Sequence, residues 1–199
     1  MKFLHMCRGV RAHLNQEHRF AHSVRVARFA DRLAQAHRED AARARVAGIL
    51  HDLARLYPPH VLLTQSHARG LTITPFERQS PLVLHAALGA ELARELFGIE
   101  DAAVLSAIRK HTVAAPTMSA LDCIIYLADS LEPERSFPER AVLAELAFVD
   151  LQAAMRATIT VSMRYLRKRS LPVAPQTLAA ARLFGAPVND EEGITAGTA

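Results

Sequence analysis

Apolar residues recur at helical spacing through nearly the whole of this 199-residue chain, cut only where proline and glycine cluster, at YPPH, RGLTITP, FGIED, HTVAAPTMS and LEPERSFPER. That pattern leaves little room for anything but a bundle of helices. Trp is absent, aromatics reach only 6%, and Ala, Leu and Arg dominate, a composition that favours helix over sandwich or barrel. The breaks predict about seven to nine helices, near Lys2–Leu14, Glu17–His37, Asp40–Arg55, Pro58–Arg69, Pro81–Phe97, Asp101–Lys110, Ser119–Leu131, Arg140–Arg169 and Pro175–Phe184. Half the residues are hydrophobic, enough at this length for one sizeable core, so residues 1–185 are expected to form a single all-α domain. Residues 186–199 combine small polar side chains with little periodicity and are expected to be a disordered tail.

The formal charge is +4, and only Lys2, Lys110 and Lys168 among the basic residues are lysines. Arginine-rich chains suit phosphate-bearing partners. Asp and Glu are interleaved with the arginines, so no long basic stripe forms, and charge alone admits a phosphorylated small ligand or a nucleic acid. The cationic end of the 140–169 segment complements the negative end of a helix dipole, which makes it a solvated terminus before a nucleic-acid patch. Cys7 and Cys123 lie far apart without metal-ligand spacing and are expected to be reduced and buried. No apolar run approaches the roughly 18 residues of a membrane span, and a cytoplasmic protein without a membrane partner is expected.

Against this background the stretch GILHDLAR, Gly48–Arg55, is unusual, because it sets His51 and Asp52 at the centre of an expected helix beside Ile49, Leu50 and Leu53. A buried carboxylate without a partner is costly. By itself the pair could be a helix-surface salt bridge from Asp52 to Arg55. The pair is not alone, however. His22 lies among Phe20, Val24, Val26 and Phe29, His85 in PLVLHAALGAEL, His111 at the end of VLSAIRKH, and Asp129 in IIYLADSL. Imidazole and carboxylate together suit iron, manganese or zinc, and helix bundles build such sites from side chains that face one another across the core. His5, His13, His37, His60 and His67 fall at helix ends or in polar surroundings and read as surface residues, and His18 as a boundary residue.

The order His22, His51-Asp52, Asp129 resembles the pattern of the HD superfamily of metal-dependent phosphohydrolases. EHRFAHSVRVA, GILHDLAR, LHAALGAEL, AIRKHT, IIYLADSLEPERSFP and LPVAPQTLAAARLF are similar to successive motifs of its YqeK-type branch, over roughly Val10 to Phe184. That branch cleaves diadenosine tetraphosphate symmetrically into two ADP. The chain departs from it in having Arg55 where Lys is usual, and Val113, Ala114 and Ala115 where a glycine usually follows the HT pair.

The resemblance implies an HD-type helical bundle in which His22, His51, Asp52 and Asp129 hold the principal metal. That metal is expected to be iron, as one or two ions, with manganese or another divalent transition metal as the substitute. His85 and His111 would bind a second metal or the substrate phosphates, and Asp52, as the catalytic carboxylate, would bridge two ions. Attack by a water of lowered pKa at an inner phosphorus would follow. Arg19, Arg55 and Arg135 are candidate polyphosphate clamps, with surface salt bridges as their alternative. Thr112 is a phosphate contact or a helix-end cap. Pro172, Val173, Ala174, Pro175, Gln176 and Thr177 resemble a loop that reaches the nucleotide. The expected partners are therefore a dinucleoside polyphosphate and ADP, with no nucleic acid, and a homodimer is left open. Two rival readings remain: the same metal core acting on a nucleoside monophosphate, a guanosine polyphosphate or a cyclic dinucleotide, and a non-catalytic nucleic-acid-binding module with a structural metal.

Overall fold

The computed structural model describes residues 3–188, so Lys2 and the part of the expected tail from residue 189 onward lie outside the described residues. Eleven α-helices follow one another: α1 (Phe3–Leu14), α2 (Glu17–Ala36), α3 (Ala41–Leu50), α4 (Pro59–Ala68), α5 (Pro75–Gln79), α6 (Leu84–Phe97), α7 (Ala102–Lys110), α8 (Ala120–Leu131), α9 (Arg140–Val149), α10 (Leu151–Lys168) and α11 (Pro175–Leu183). Among the described residues a single 3-10 turn, Pro81–Val83, leads into α6. No strand occurs among the described residues.

The all-helical expectation holds, and the larger helix count has local causes. The expected helix over 140–169 is two, because Asp150 adopts an extended backbone and its carboxylate accepts from Ala153 N at 3.0 Å, capping a new helix. In the same way Thr74 and Glu77 form a capping box in front of Pro75 and start the short α5. The third difference bears on the site. The helix expected to run to Arg55 ends at Leu50, so His51 and Asp52 sit at its C-terminal end and not at its centre. Beyond it the backbone bonds step back three residues, Leu53 N to Leu50 O, Arg55 N to Asp52 O and Tyr57 N to Ala54 O, before Pro58, extended at the N-cap of α4, breaks the run and Pro59 opens the next helix.

α8 is apolar on nearly every side, and such a helix has to be central. It packs against α2, α3, α7, α9 and α10. α2 and α3 are packed backbone to backbone at Gly48, where an added Cβ would lie 2.7 Å from Ala27 Cα. Leu33, Ile49, Leu50, Leu88, Ile108, Ile124, Ile125 and Leu127 are fully buried in the core that results. Ala186 is also buried, and Val188 packs against that core. No described helix is long and apolar enough to cross a membrane.

Candidate metal centre

Five helices deliver six ionisable side chains to one buried point. His22 comes from the middle of α2, His51 and Asp52 from the end of α3, His85 from the first turn of α6, His111 from the end of α7 and Asp129 from the last turn of α8. The four imidazoles stand edge to face in a chain, with ring centroids 5.3 Å apart for His22–His51, 4.9 Å for His51–His111 and 5.1 Å for His85–His111.

Each ring is held through Nδ1. His51 Nδ1 donates to Gly48 O at 2.7 Å, His85 Nδ1 to Leu82 O at 2.5 Å and His111 Nδ1 to Ile108 O at 2.7 Å. A carbonyl only accepts, so each of these rings carries a proton on Nδ1, and in its neutral form the Nε2 lone pair points inward. Two consequences favour a cation. Nε2 of His22 and Nε2 of His51 are buried without a hydrogen-bond partner among the described residues. Nε2 of His85 and Nε2 of His111 face each other at 3.2 Å, and the Thr112 hydroxyl, 3.1 and 3.0 Å from them, has one proton to give.

Asp52 lies between the two halves of the cluster. Its Oδ2 is 3.4 Å from His51 Nε2 and 3.8 Å from His22 Nε2, and its Oδ1 is 3.4 Å from His85 Nε2 and 3.8 Å from His111 Nε2. Asp129 Oδ1 is 3.0 Å from His22 Nε2 and 3.8 Å from His51 Nε2. Two groups, His22 with His51 and Asp129, and His51 with Asp52 and His111, each bring three donor atoms within 4.8 Å of one another. This donor set suits a divalent transition metal.

The electrostatics agree. Burial opposes ionisation of Asp52 and of Asp129, but the surrounding imidazoles hold both carboxyls well below the usual range, Arg135 assisting at Asp129. Burial pushes His111 down to about 3 and also lowers His85, which keeps both rings neutral and ready to ligate. At His51 burial is outweighed by Asp52 and Asp129, and the pKa rises to about 9. The carboxylates therefore demand a positive charge near Nε2, which a proton or a metal can supply.

Of the expected clamps, Arg19 Nη1 donates to Asp52 Oδ2 at 3.0 Å, the place that Arg55 would hold in a surface salt bridge. Arg135 grips Asp129 twice, through its carboxylate at 2.5 Å and its carbonyl at 2.8 Å. Arg55 is half-buried, and its charge, after burial, contributes to the lowered pKa of His85. The 172–177 loop is drawn to the same side, because the hydroxyl of buried Thr177 donates to Val113 O at 2.8 Å, two residues from His111. Ala174 is buried, Val173 and Gln176 are half-buried, and Pro172 and Pro175 are exposed. Ala114, in the segment that departs from the resembled pattern, takes a left-handed φ of 59°, the conformation a glycine would favour.

Sequence reasoning gave no role to Glu132 or Arg25. Glu132 is buried and accepts from His22 Nδ1 at 3.1 Å and from Arg25 Nε at 2.7 Å. Its only signal was its place in LEPER. His13 and His37, expected at the surface, are half-buried, and their Nε2 atoms bond to Leu53 O at 2.8 Å and Ala147 O at 2.7 Å.

Three comparisons with known proteins place the chain among HD-type proteins. The family described as HD domain matches residues 19–134. A Bacillus subtilis protein named symmetrical bis(5'-nucleosyl)-tetraphosphatase is 37% identical over 81% of this chain and 86% of its own length. One of the same name from Halalkalibacterium halodurans is 37% identical over 85% of this chain and 90% of its own. Among solved structures, a Clostridium acetobutylicum protein described as a predicted HD superfamily hydrolase involved in NAD metabolism superposes with a TM-score of 0.88. It is 29% identical, and the match covers 92% of this chain and 97% of that one.

Proposed function

The chain belongs to the HD domain family, and on that premise we propose that it hydrolyses diadenosine tetraphosphate symmetrically into two ADP. The observation that carries the reading is the buried convergence of four imidazole Nε2 atoms on two carboxylates, in a chain 37% identical to relatives named for that reaction.

In this reading His22, His51, Asp52 and Asp129 hold the principal divalent metal, with iron the preferred ion and manganese its substitute. His85 and His111 take a second ion or the substrate phosphates. The position of Asp52, one oxygen toward each half of the cluster, supports its role as the shared carboxylate. A metal held there supplies Lewis acidity at a phosphoryl oxygen and a water acidic enough to be a nucleophile near neutral pH.

The protein's own groups do the rest. Arg19 and Arg135 lie against the ligand carboxylates, where their remaining N–H donors can meet phosphate oxygens, and Arg55 adds positive charge on the His85 side. The Thr112 hydroxyl, shared between His85 and His111, can turn to a phosphate once those rings are ligated. The loop containing Pro172, Val173, Ala174, Pro175, Gln176 and Thr177, tied to Val113 two residues from His111, is the nucleotide-contacting segment in this reading. The enzyme works in the cytoplasm in this reading.

The test is nucleotide turnover by anaerobically purified protein with iron or manganese, the products being resolved by chromatography. ADP as sole product, lost in Asp52→Asn, is expected. AMP with ATP would refute the cleavage position, and turnover only of a monophosphate, a guanosine polyphosphate or a cyclic dinucleotide would reassign the substrate.

A further inference from the structure

Three of the four histidines of the cluster fix Nδ1 on the carbonyl three residues back: His51 on Gly48, His85 on Leu82 and His111 on Ile108. They can do so because each sits at a helix end, His51 and His111 at the C-cap just beyond the last turn and His85 in the first turn. His22 lies inside α2, where the neighbouring carbonyls are taken up by the helix's own ladder. Its Nδ1 needs an acceptor from elsewhere.

The acceptor is Glu132, 110 positions away, at 3.1 Å. The two helices meet in register: His22 and Arg25 are three apart on α2, and Asp129 and Glu132 are three apart at the end of α8. His22 therefore stands between two carboxylates, with Nε2 3.0 Å from Asp129 and Nδ1 3.1 Å from Glu132. Arg25 Nε and Glu134 N, at 2.7 and 2.9 Å, hold Glu132 Oε2, while Oε1 faces the His22 ring and also accepts from Arg25 Nη2 at 3.2 Å. A carboxylate behind a ligating histidine fixes its tautomer and makes the other nitrogen a stronger donor.

We propose that Glu132 is the positioning residue of this metal centre, holding the proton on His22 Nδ1 so that Nε2 is presented to the ion. The inference rests on the metal reading above. Glu132 gives His22 a charged acceptor where the other three rings have neutral ones, so His22 is the most strongly donating imidazole of the four.

The test is manganese affinity, by competition with a chromophoric chelator, for the wild type, Glu132→Gln and Arg25→Gln. Glu132→Gln is expected to bind about 10- to 100-fold more weakly. Arg25→Gln removes the ion pair but leaves the carboxylate on His22, and is expected to stay within about threefold of wild type. Unchanged affinity in Glu132→Gln overturns the proposal and leaves the metal reading standing. Equal loss in both variants overturns it in favour of the α2–α8 ion pair. A wild type that binds no metal overturns both readings. A second measurement needs no variant: in the zinc-loaded wild type, nitrogen NMR should find the His22 proton on Nδ1, and a metal-bound Nδ1 overturns the proposal.

Discussion

At Asp52 two requirements meet in one side chain: its oxygens face opposite halves of the histidine cluster, and Arg19 shares one of them. Asp52→Asn keeps the shape and removes the charge, so turnover is expected to fall about 100-fold or more and bound metal per chain to drop, read by elemental analysis beside the assay. The identities of the donors were legible because a histidine or aspartate inside an apolar pattern stands out in a sequence. The role of Glu132 was not, because a glutamate at the end of a helix looks like any solvated terminus until His22 and Arg25 are seen to close over it. Cys123 gives a simpler test. Burial, aided by the charge of Asp122, pushes its thiol up to about 12, so alkylation at pH 8 should leave Cys123 unmodified until the protein is unfolded, as peptide mass mapping would show.

Among the elements, α2 and α3 matter most, since together they carry His22, His51 and Asp52. Their contact at Gly48 is backbone against backbone, and an added methyl would meet Ala27 Cα at 2.7 Å and Ala27 N at 3.0 Å, atoms that cannot turn aside. Gly48→Ala is expected to cost about 1–3 kcal/mol, measured by urea unfolding, and to weaken metal binding by parting His22 from His51. The break between α9 and α10 is a local matter by contrast. Asp150→Ala removes a cap and should cost about 1 kcal/mol by the same measurement, with metal affinity unchanged because α10 carries none of the proposed ligands. Neither the cap at Asp150 nor the tight turns after Leu50 could be read from periodicity, because the apolar spacing continues across both. What stops each helix is which group captures a backbone donor or acceptor, and that choice leaves no trace in the apolar pattern.

For the molecule as a whole, the proposed metal cluster draws its side chains from α2, α3, α6, α7 and α8, so in this reading metal and fold are linked. A divalent ion present at 100 times its dissociation constant should add about 2.7 kcal/mol of stability, or about 5–10 °C in Tm for a chain of this size. Calorimetry of metal-loaded and chelator-treated protein tests this, and equal Tm values would count against a centre built from five helices. The all-α class, the approximate helix positions, the donor residue types and the resemblance to HD hydrolases were determined by the sequence itself, because apolar periodicity and residue identity are local properties of the chain. Only the tertiary structure decided which nitrogen of each ring faces inward, that Asp52 lies between the two pairs of histidines, that Arg19 and not Arg55 meets it, and that Glu132 stands behind His22. Those relations join residues as far apart as 110 positions, and they are set by how the helices pack around α8, where a shift of a few ångströms would exchange one partner for another.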